Sequence, residues 1–325
     1  MLDVRRLRLL RELHHRGTIV AVAEALAYTP PAVSQQLTAL EREVGRPLLR
    51  RTGRRVELTP LGRELAERTE AVLAALERAE AVVTDEQAPA VPVRLAAFST
   101  ALGPIVLPAL RALESVEPRP SVEVTEVDPA GVPAGLRADR WDLALVHDYD
   151  NVPSVIGPGV EVEPLLDEVV YFASTRPVGE TADVLREHRD SGWILGSPGT
   201  LCHAMAVGTC RAAGFDPRQA HTVDDFGVVL RLVAAGAGVA LVPELGVADL
   251  PDTVVLTALP IGRRTRIAFR AGSRDRAAPA AVRAALHRAA AALRTPPNGD
   301  QGAFGEFDSH SVASGLPRVR SRAGR

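Results

Sequence analysis

Two short amphipathic helix patterns lie close together near the start of the chain, and the turn between them is tight. The first covers residues 19–27 and is rich in Ala. Thr29 and Pro30 open the second, because Thr is a favoured N-cap and Pro suits the first helical position, and Gly45 ends it. A helix over residues 4–16 precedes both. Together they predict a helix-turn-helix, which places its last helix in the major groove of DNA.

The exposed face of that last helix is largely uncharged and able to form hydrogen bonds with base edges. Residues 46–55 follow at once and contain five Arg and no acidic residue. Apolar residues on both sides of residues 52–55 predict a hairpin, a wing whose tip lies along phosphate or enters the minor groove. The predicted DNA-binding residues are Pro31, Ser34, Gln35, Gln36, Thr38, Arg51, Arg54 and Arg55.

Charge is unevenly distributed along the chain. Residues 1–60 have 11 Arg against 6 Asp and Glu, a net of +5, whereas residues 92–294 have 20 Arg against 24 acidic residues, a net of −4. The net charge of −2 excludes a protein that is basic from end to end. A basic first domain on an acidic body is typical of a nucleic-acid-binding module joined to a second function, although a solvated Arg loop would give the same count.

A single long helix is predicted after the wing, within residues 61–91, and it ends in a Pro-containing linker over residues 85–92. Its apolar residues recur at intervals of four and seven, and Leu65, Val72 and Leu76 are the predicted contacts. A helix with such a seam pairs with a second copy of itself, which predicts a homodimer. The alternative is that the seam packs on the body of its own chain.

Strands and helices alternate over residues 92–294, and the pattern restarts after residues 148–164. A segment near residues 262–268 returns to the first half. Alternation of this kind predicts an α/β fold of two lobes, each with an open sheet, and a cleft between them. Ligands of such sheets bind beyond the carboxyl ends of the strands.

Two predicted helix starts with hydroxyl side chains lie at that cleft, and helix N-termini attract anions. They are Ser99 and Thr100 in the first lobe, and Ser197 and Thr200 in the second. His147 is predicted just past a buried strand of residues 143–146, where it would line the crossover or belong to a loop. With no Arg cluster expected inside the cleft, a small carboxylate or a similar polar metabolite is the predicted effector. N-capping alone would also explain Ser99, Thr100 and Thr200.

Several segments together resemble the LysR-type transcriptional regulators, over about residues 2–293. They are residues 23–26, 31–36, 45–51, 58–62, 141–146, 212–215 and 233–243. The resemblance implies a winged helix-turn-helix in residues 1–60, a linker helix that forms an antiparallel dimer, and an effector-binding domain similar to periplasmic solute-binding proteins. It implies a cytoplasmic, sequence-specific transcription factor that binds double-stranded DNA and responds to a small-molecule effector. A homodimer or homotetramer is expected, with RNA polymerase as a further candidate partner.

The sequence has no dinucleotide fingerprint, P-loop, zinc-protease motif or nucleophile elbow. The chain is therefore predicted not to be an enzyme and to need no metal or cofactor. A redox regulator acting through Cys202 and Cys210 is an alternative, although eight residues of straight helix span ~12 Å, too far for a disulfide. A solute-binding α/β protein with an unrelated helical head is a further alternative.

The remaining predictions concern the surroundings of the fold. No apolar run is long enough for a membrane span, and the start does not resemble a signal peptide. Two Cys are too few for a disulfide framework and favour a reducing compartment. Residues 295–325 lack periodicity and are predicted to be a disordered tail.

Overall fold

The computed structural model describes residues 1–52, 55–84, 91–153, 156–176 and 184–294, without the side chains of Arg51, Arg55 and residues 81–84. The predicted linker of residues 85–92 therefore lies mostly outside the described residues, and the predicted tail of residues 295–325 lies wholly outside them.

The first domain consists of three helices and a hairpin. Its elements are α1 Val4–Arg16, α2 Ile19–Ala25, α3 Pro30–Val44, β1 Leu49–Thr52 and β2 Arg55–Leu58. Local signals set the helix bounds: Asp3, Thr18 and Thr29 accept hydrogen bonds from free N–H groups of the first turns, and Gly17 and Gly45 end α1 and α3 in the left-handed conformation. The apolar faces of the helices share one core. The predicted winged helix-turn-helix is confirmed.

Helix α4 (Pro60–Thr84) begins against the first domain and then leaves it. Gly62 packs so closely that a Cβ there would collide with the carbonyl oxygen of Leu48. Leu65 packs against the core of the first domain, whereas Val72 and Leu76 are 44% and 40% exposed. Of the three residues predicted for a dimer seam, Leu65 is thus engaged within its own chain, and the other two are exposed.

Arg side chains of α1 fasten the first domain to the body, the part of the chain from residue 92 to 294. They donate to carbonyl oxygens of α7 (Val132–Arg137). The hydrogen bonds are Arg8 to Arg137 at 3.5 Å, Arg11 to Arg137 at 3.2 Å and Arg16 to Ala134 at 3.3 Å. Helix α4 adds a contact of its own, since Glu77 accepts from Arg270 Nε at 2.7 Å. Met1–Arg294 consequently form one compact unit.

A six-stranded sheet runs through the body. Its strands are β3 Val93–Ala97, β4 Val122–Glu126, β5 Leu143–Tyr149, β6 Val160–Ser174, β9 Ala240–Pro243 and β10 Val255–Arg270, in the order β4-β3-β5-β10-β6-β9. Strands β3, β4 and β5 are parallel, and β10 is antiparallel to β5 and β6. Strands β6 and β10 are 15 and 16 residues long and cross from one lobe into the other. The predicted two-lobed α/β fold is confirmed, but the lobes share this sheet instead of each having its own.

Helices cover the sheet in both lobes. Lobe 1 has α5 Ser99–Ala101, α6 Leu107–Ala112 after a π-helical turn at Leu102–Val106, α7, and α11 Ala277–Arg294. Lobe 2 has α8 Val184–Glu187, α9 Leu201–Ala212, α10 Phe226–Ala234 and a small sheet of β7 Trp193–Leu195 and β8 Gln219–Thr222. Separate apolar cores lie under α6 and α11 in lobe 1, and under α9 and α10 in lobe 2.

Candidate functional site

Helix α3 presents one exposed face. Pro31, Gln35, Thr38 and Arg42 are exposed or half-buried, and their spacing of three and four residues places them side by side. Ser34 is half-buried beside them, and its carbonyl oxygen accepts a hydrogen bond from the Thr38 hydroxyl at 3.0 Å. This surface combines an amide, hydroxyl groups and one guanidinium, the groups that read base edges and hold phosphate.

Gln36 does not belong to that face. Its Oε1 accepts a hydrogen bond from Arg6 Nε at 3.0 Å, so the amide is engaged with α1. Arg6 also forms an ion pair with Glu43 near the end of α3. The structure therefore corrects the prediction for Gln36: its side chain holds α1 against α3 because a helix packs on that side.

The wing is held against α3 by Glu41, which sequence reasoning missed as a functional residue. Its Oε1 accepts hydrogen bonds from the backbone N–H groups of Leu48 and Leu49, at 2.8 and 2.9 Å. Strands β1 and β2 pair as predicted, with Leu49 opposite Leu58. Of the predicted wing residues, Arg54 lies outside the described residues, as do the side chains of Arg51 and Arg55.

A cavity of ≈ 260 Å³ lies between the lobes of the body. Ser99, Thr100, His147 and Thr200, predicted from the sequence, line it, but Ser197 does not. The apolar part of the lining comes from both lobes: Phe98, Val127, Ile194, Leu195, Phe226, Val229 and Leu241. This cavity is the candidate effector site.

The hydroxyl groups predicted to point into the cleft are largely engaged elsewhere. The N–H and hydroxyl of Ser197 donate to the two carboxylate oxygens of Asp224, at 2.7 and 2.6 Å. The Thr200 hydroxyl caps α9 by accepting from the His203 N–H and donates to the Ser197 carbonyl, at 3.2 and 2.8 Å. An acid 27 residues further along the chain takes both donors of Ser197, and its role in effector binding stays a prediction.

Arg263, which sequence reasoning missed, lines the cavity from β10. Its side chain is 1% exposed, and it donates to Glu168 through Nε and Nη2 at 2.8 and 2.7 Å. Nη2 also donates to the Thr100 hydroxyl at 3.2 Å. Burial disfavours the charged guanidinium, but Glu168 raises the pKa of Arg263 above its ordinary value. No Arg cluster was predicted in the cleft, and the described lining contains one Arg, Arg263, which is paired with Glu168. The alternation of side chains along a strand, which turns Arg263 and Thr265 to one face, is the signal for it.

His147 lies inside β5, not past its end as predicted, and is 4% exposed. The ring packs edge-on against Phe98 and Tyr149, with centroids 4.7 and 5.3 Å away. Neither ring nitrogen has a hydrogen-bond partner among the described residues. Burial, and secondly the charge of Arg263, hold the pKa of His147 well below its ordinary value, so the imidazole is neutral. A neutral imidazole offers one donor and one acceptor, and both are unused.

The two thiols differ in position. Cys202 lines the cavity, with its Sγ 3.2 Å from the Tyr149 hydroxyl, whereas Cys210 is buried in the core of lobe 2. Burial raises the pKa of Cys202 above its ordinary value and that of Cys210 to about 12. Since the thiolate is the reactive form, both thiols are poor nucleophiles as they stand.

In the part of the chain that the structure describes, no group of three or more His, Cys, Asp or Glu is arranged to hold a metal ion. No helix of that part has both the length and the apolar character needed to cross a bilayer.

Both the first domain and the body match known sequence families. Residues 4–63 match the family of bacterial regulatory helix-turn-helix proteins of lysR type, and residues 86–291 match the LysR substrate binding domain. A probable hydrogen peroxide-inducible genes activator of Streptomyces viridosporus is 34% identical over 244 residues, which is 72% of this chain and 74% of that protein. The transcriptional dual regulator GltC of Bacillus subtilis is 26% identical over 248 residues, 75% of this chain and 81% of that protein.

Solved structures share the fold. An OxyR C206 mutant of Corynebacterium glutamicum superposes with a TM-score of 0.52 at 24% identity, over 90% of this chain and 94% of that one. Full-length BenM superposes with a TM-score of 0.53 at 21% identity, over 91% of this chain and all of that one. The order of a helix-turn-helix domain, a long helix and a two-lobed body is therefore shared from end to end.

Proposed function

Because the chain belongs to the LysR family of bacterial transcriptional regulators, we propose that α3 reads base edges of its operator and that the wing binds the DNA backbone. The chain is a DNA-binding regulator that responds to a small-molecule effector. We assign DNA binding to residues 1–60, dimerisation to residues 61–91 and effector binding to residues 92–294, with residues 295–325 as a tail.

The exposed face of α3 carries this proposal. Pro31, Gln35 and Thr38 are available to base edges, with Ser34 beside them. The hydrogen bonds of Glu41 hold the start of the wing next to this face. We assign Arg51, Arg54 and Arg55 to the phosphates beside it.

Replacing Gln35 by Ala tests base reading. We expect the variant to lose about 1–3 kcal/mol of discrimination between the operator and a sequence changed at one base pair. Fluorescence anisotropy with both duplexes measures this, and Gln219→Ala, which removes an exposed amide from lobe 2, is the matched control. Equal discrimination by the parent and Gln35→Ala would remove α3 as the reader.

Replacing Arg54 and Arg55 by Ala tests the wing. Binding to both duplexes is expected to weaken together, and the slope of log affinity against log salt should fall by about one for each phosphate that the variant no longer neutralises. A change confined to one duplex would contradict a role on the backbone.

We further propose that the effector binds in the cavity between the lobes and that Val72 and Leu76 pair with a second copy of α4. Both side chains are exposed on one helix face, as a dimer seam requires. The relatives are transcriptional regulators, and we propose that this chain likewise has no catalytic activity. We also propose that it acts in the cytoplasm, where its DNA lies, and that it contacts RNA polymerase there.

Redox sensing is the second candidate function. It is favoured by the position of Cys202 in the cavity and by the similarity to a probable hydrogen peroxide-inducible genes activator. The raised pKa of both thiols counts against it. Operator binding measured before and after peroxide, in the parent and in Cys202→Ser, separates the candidates: a response that the variant lacks would establish the thiol as the sensor.

A further inference from the structure

Resting on the proposed role of the cavity, we propose that the effector is a small organic cation: a protonated amine on an apolar body, with a neutral hydrogen-bonding group at its other end. The ammonium group lies among Glu126, Asp128 and Asp224, and the neutral group binds His147. Some charged side chains of the lining have a partner of opposite charge within the protein, and others do not.

The positive charge of Arg263 in the lining is paired with a negative charge. Arg263 is paired with Glu168 through two hydrogen bonds, and its Nη2 also donates to Thr100. Glu168 is itself fully used, since its oxygens also accept from the Thr265 hydroxyl and the Leu245 N–H. The pair is neutral as a whole and presents no free guanidinium fork to a carboxylate.

Three carboxylates of the lining are not paired with a positively charged group among the described residues. Glu126 and Asp128 come from lobe 1, at the end of β4 and just after it, and Asp224 comes from lobe 2 after β8. Asp128 accepts from the Ala130 N–H and Asp224 from Ser197, but none of the three has a cationic partner among the described residues. Asp142, by contrast, is paired with Arg94.

The negative field of these carboxylates reaches into the cavity. Burial raises the pKa of Cys202, the hydrogen bond with Tyr149 and the charge of Arg263 lower it, and the charges of Asp128 and Asp224 raise it. One acid from each lobe therefore acts on the same atom inside the cavity. A cation bound between acids of the two lobes is attracted by both.

His147 is the independent sign of a ligand. A buried polar side chain without a partner is rare in folded proteins, because it loses its hydrogen bonds to water and gains none. Both nitrogens of His147 are in this state, and His147 is among the residues that line the cavity. A neutral imidazole binds a hydroxyl or an amide, whereas it has no charge with which to attract an anion.

The apolar lining suits the body of such a ligand. Phe98 and Phe226 face the cavity from different lobes, and Ile194, Leu195 and Leu241 add to the lining. An aromatic or short aliphatic body fits a cavity of ≈ 260 Å³. Tyramine has all three parts, and 4-hydroxyphenylacetate replaces only its ammonium-bearing end by a carboxylate, so the two are a matched pair of probes.

The test is calorimetric titration of the full chain with tyramine, 4-hydroxyphenylacetate and phenethylamine, which lacks the hydroxyl group. We expect tyramine to bind about tenfold or more tightly than the carboxylate. Glu126→Gln should weaken tyramine about two- to fivefold, and Glu123→Gln, which removes an exposed acid of β4 outside the cavity, should not. His147→Phe should weaken tyramine about two- to tenfold and leave phenethylamine unchanged, a comparison that also shows the variant is folded.

Three results would each overturn the proposal: tyramine fails to bind at millimolar concentration, the carboxylate binds as tightly as tyramine, or Glu126→Gln and Glu123→Gln have equal effects on tyramine. A preference for 4-hydroxyphenylacetate would also support the anion predicted from the helix starts and would leave the cavity as the effector site. Failure of the proposed DNA-reading function is seen separately, in operator binding by the Gln35→Ala variant.

Discussion

Replacing Glu168 by Gln is expected to destabilise the body more than replacing Arg263 by Met, although both changes break the same ion pair. Both side chains are 1% exposed. In Glu168→Gln the guanidinium stays charged, because Arg is not deprotonated in proteins, and it is left in the interior without a counter-charge. In Arg263→Met the carboxylate that remains can take up a proton and become neutral.

The magnitude follows from the burial of the pair. Removing one partner of a buried pair costs about 3–5 kcal/mol, against a stability of about 5–15 kcal/mol for a whole domain. Glu168→Gln should therefore lose a large part of the stability of the body. The double variant holds no buried charge and keeps an amide oxygen for the Leu245 N–H, so we expect it to be more stable than Glu168→Gln alone.

Urea unfolding of the full chain measures these free energies. Both Trp residues lie in the body, Trp141 in lobe 1 and Trp193 in lobe 2, so their fluorescence reports on each lobe and not on the first domain. An unfolding free energy of Glu168→Gln within about 1 kcal/mol of the parent would show that water reaches the pair, and it would refute the reasoning.

Three further outcomes are expected. Replacing Val72 and Leu76 by Glu should give a smaller species in sedimentation, whereas an unchanged oligomer would place the dimer contact elsewhere. Burial opposes ionisation of Asp142, but hydrogen bonds from Arg94 lower its pKa below the ordinary value of 3.8. The ionised carboxylate therefore stabilises the fold above that value, and this stabilisation is lost as the pH falls. The melting temperatures of Asp142→Asn and the parent should converge in acid. Iodoacetamide should not modify Cys210 in the folded chain at pH 8 and should modify it in guanidinium, as mass spectrometry would show, because its pKa is about 12.

The first domain could be predicted almost to the residue, because its signals are local. The cap Thr29, the proline after it and the left-handed Gly45 are neighbours of the helix whose ends they set. The pairing of β1 with β2 was equally accessible, since a short turn leaves few registers open.

The cavity could be predicted in position but not in chemistry, because its polar groups are satisfied over long distances in sequence. Arg263 is buried only because Glu168, 95 residues away, lies opposite it. The donors of Ser197 are taken by Asp224 from another loop. Strand β5 continues through His147 because β10 extends alongside it, with Thr265 opposite His147, and no local pattern indicates that neighbour.

The attachment of α1 to the end of α7 has a mechanical consequence. The segment of residues 128–137 begins at Asp128 in the cavity and ends at the carbonyl groups of Ala134 and Arg137, which hold Arg8, Arg11 and Arg16. Asp128 in the cavity and the carbonyl groups that hold α1 thus lie on one short segment of lobe 1. A displacement of this segment would therefore move a residue of the cavity and the attachment of the first domain together.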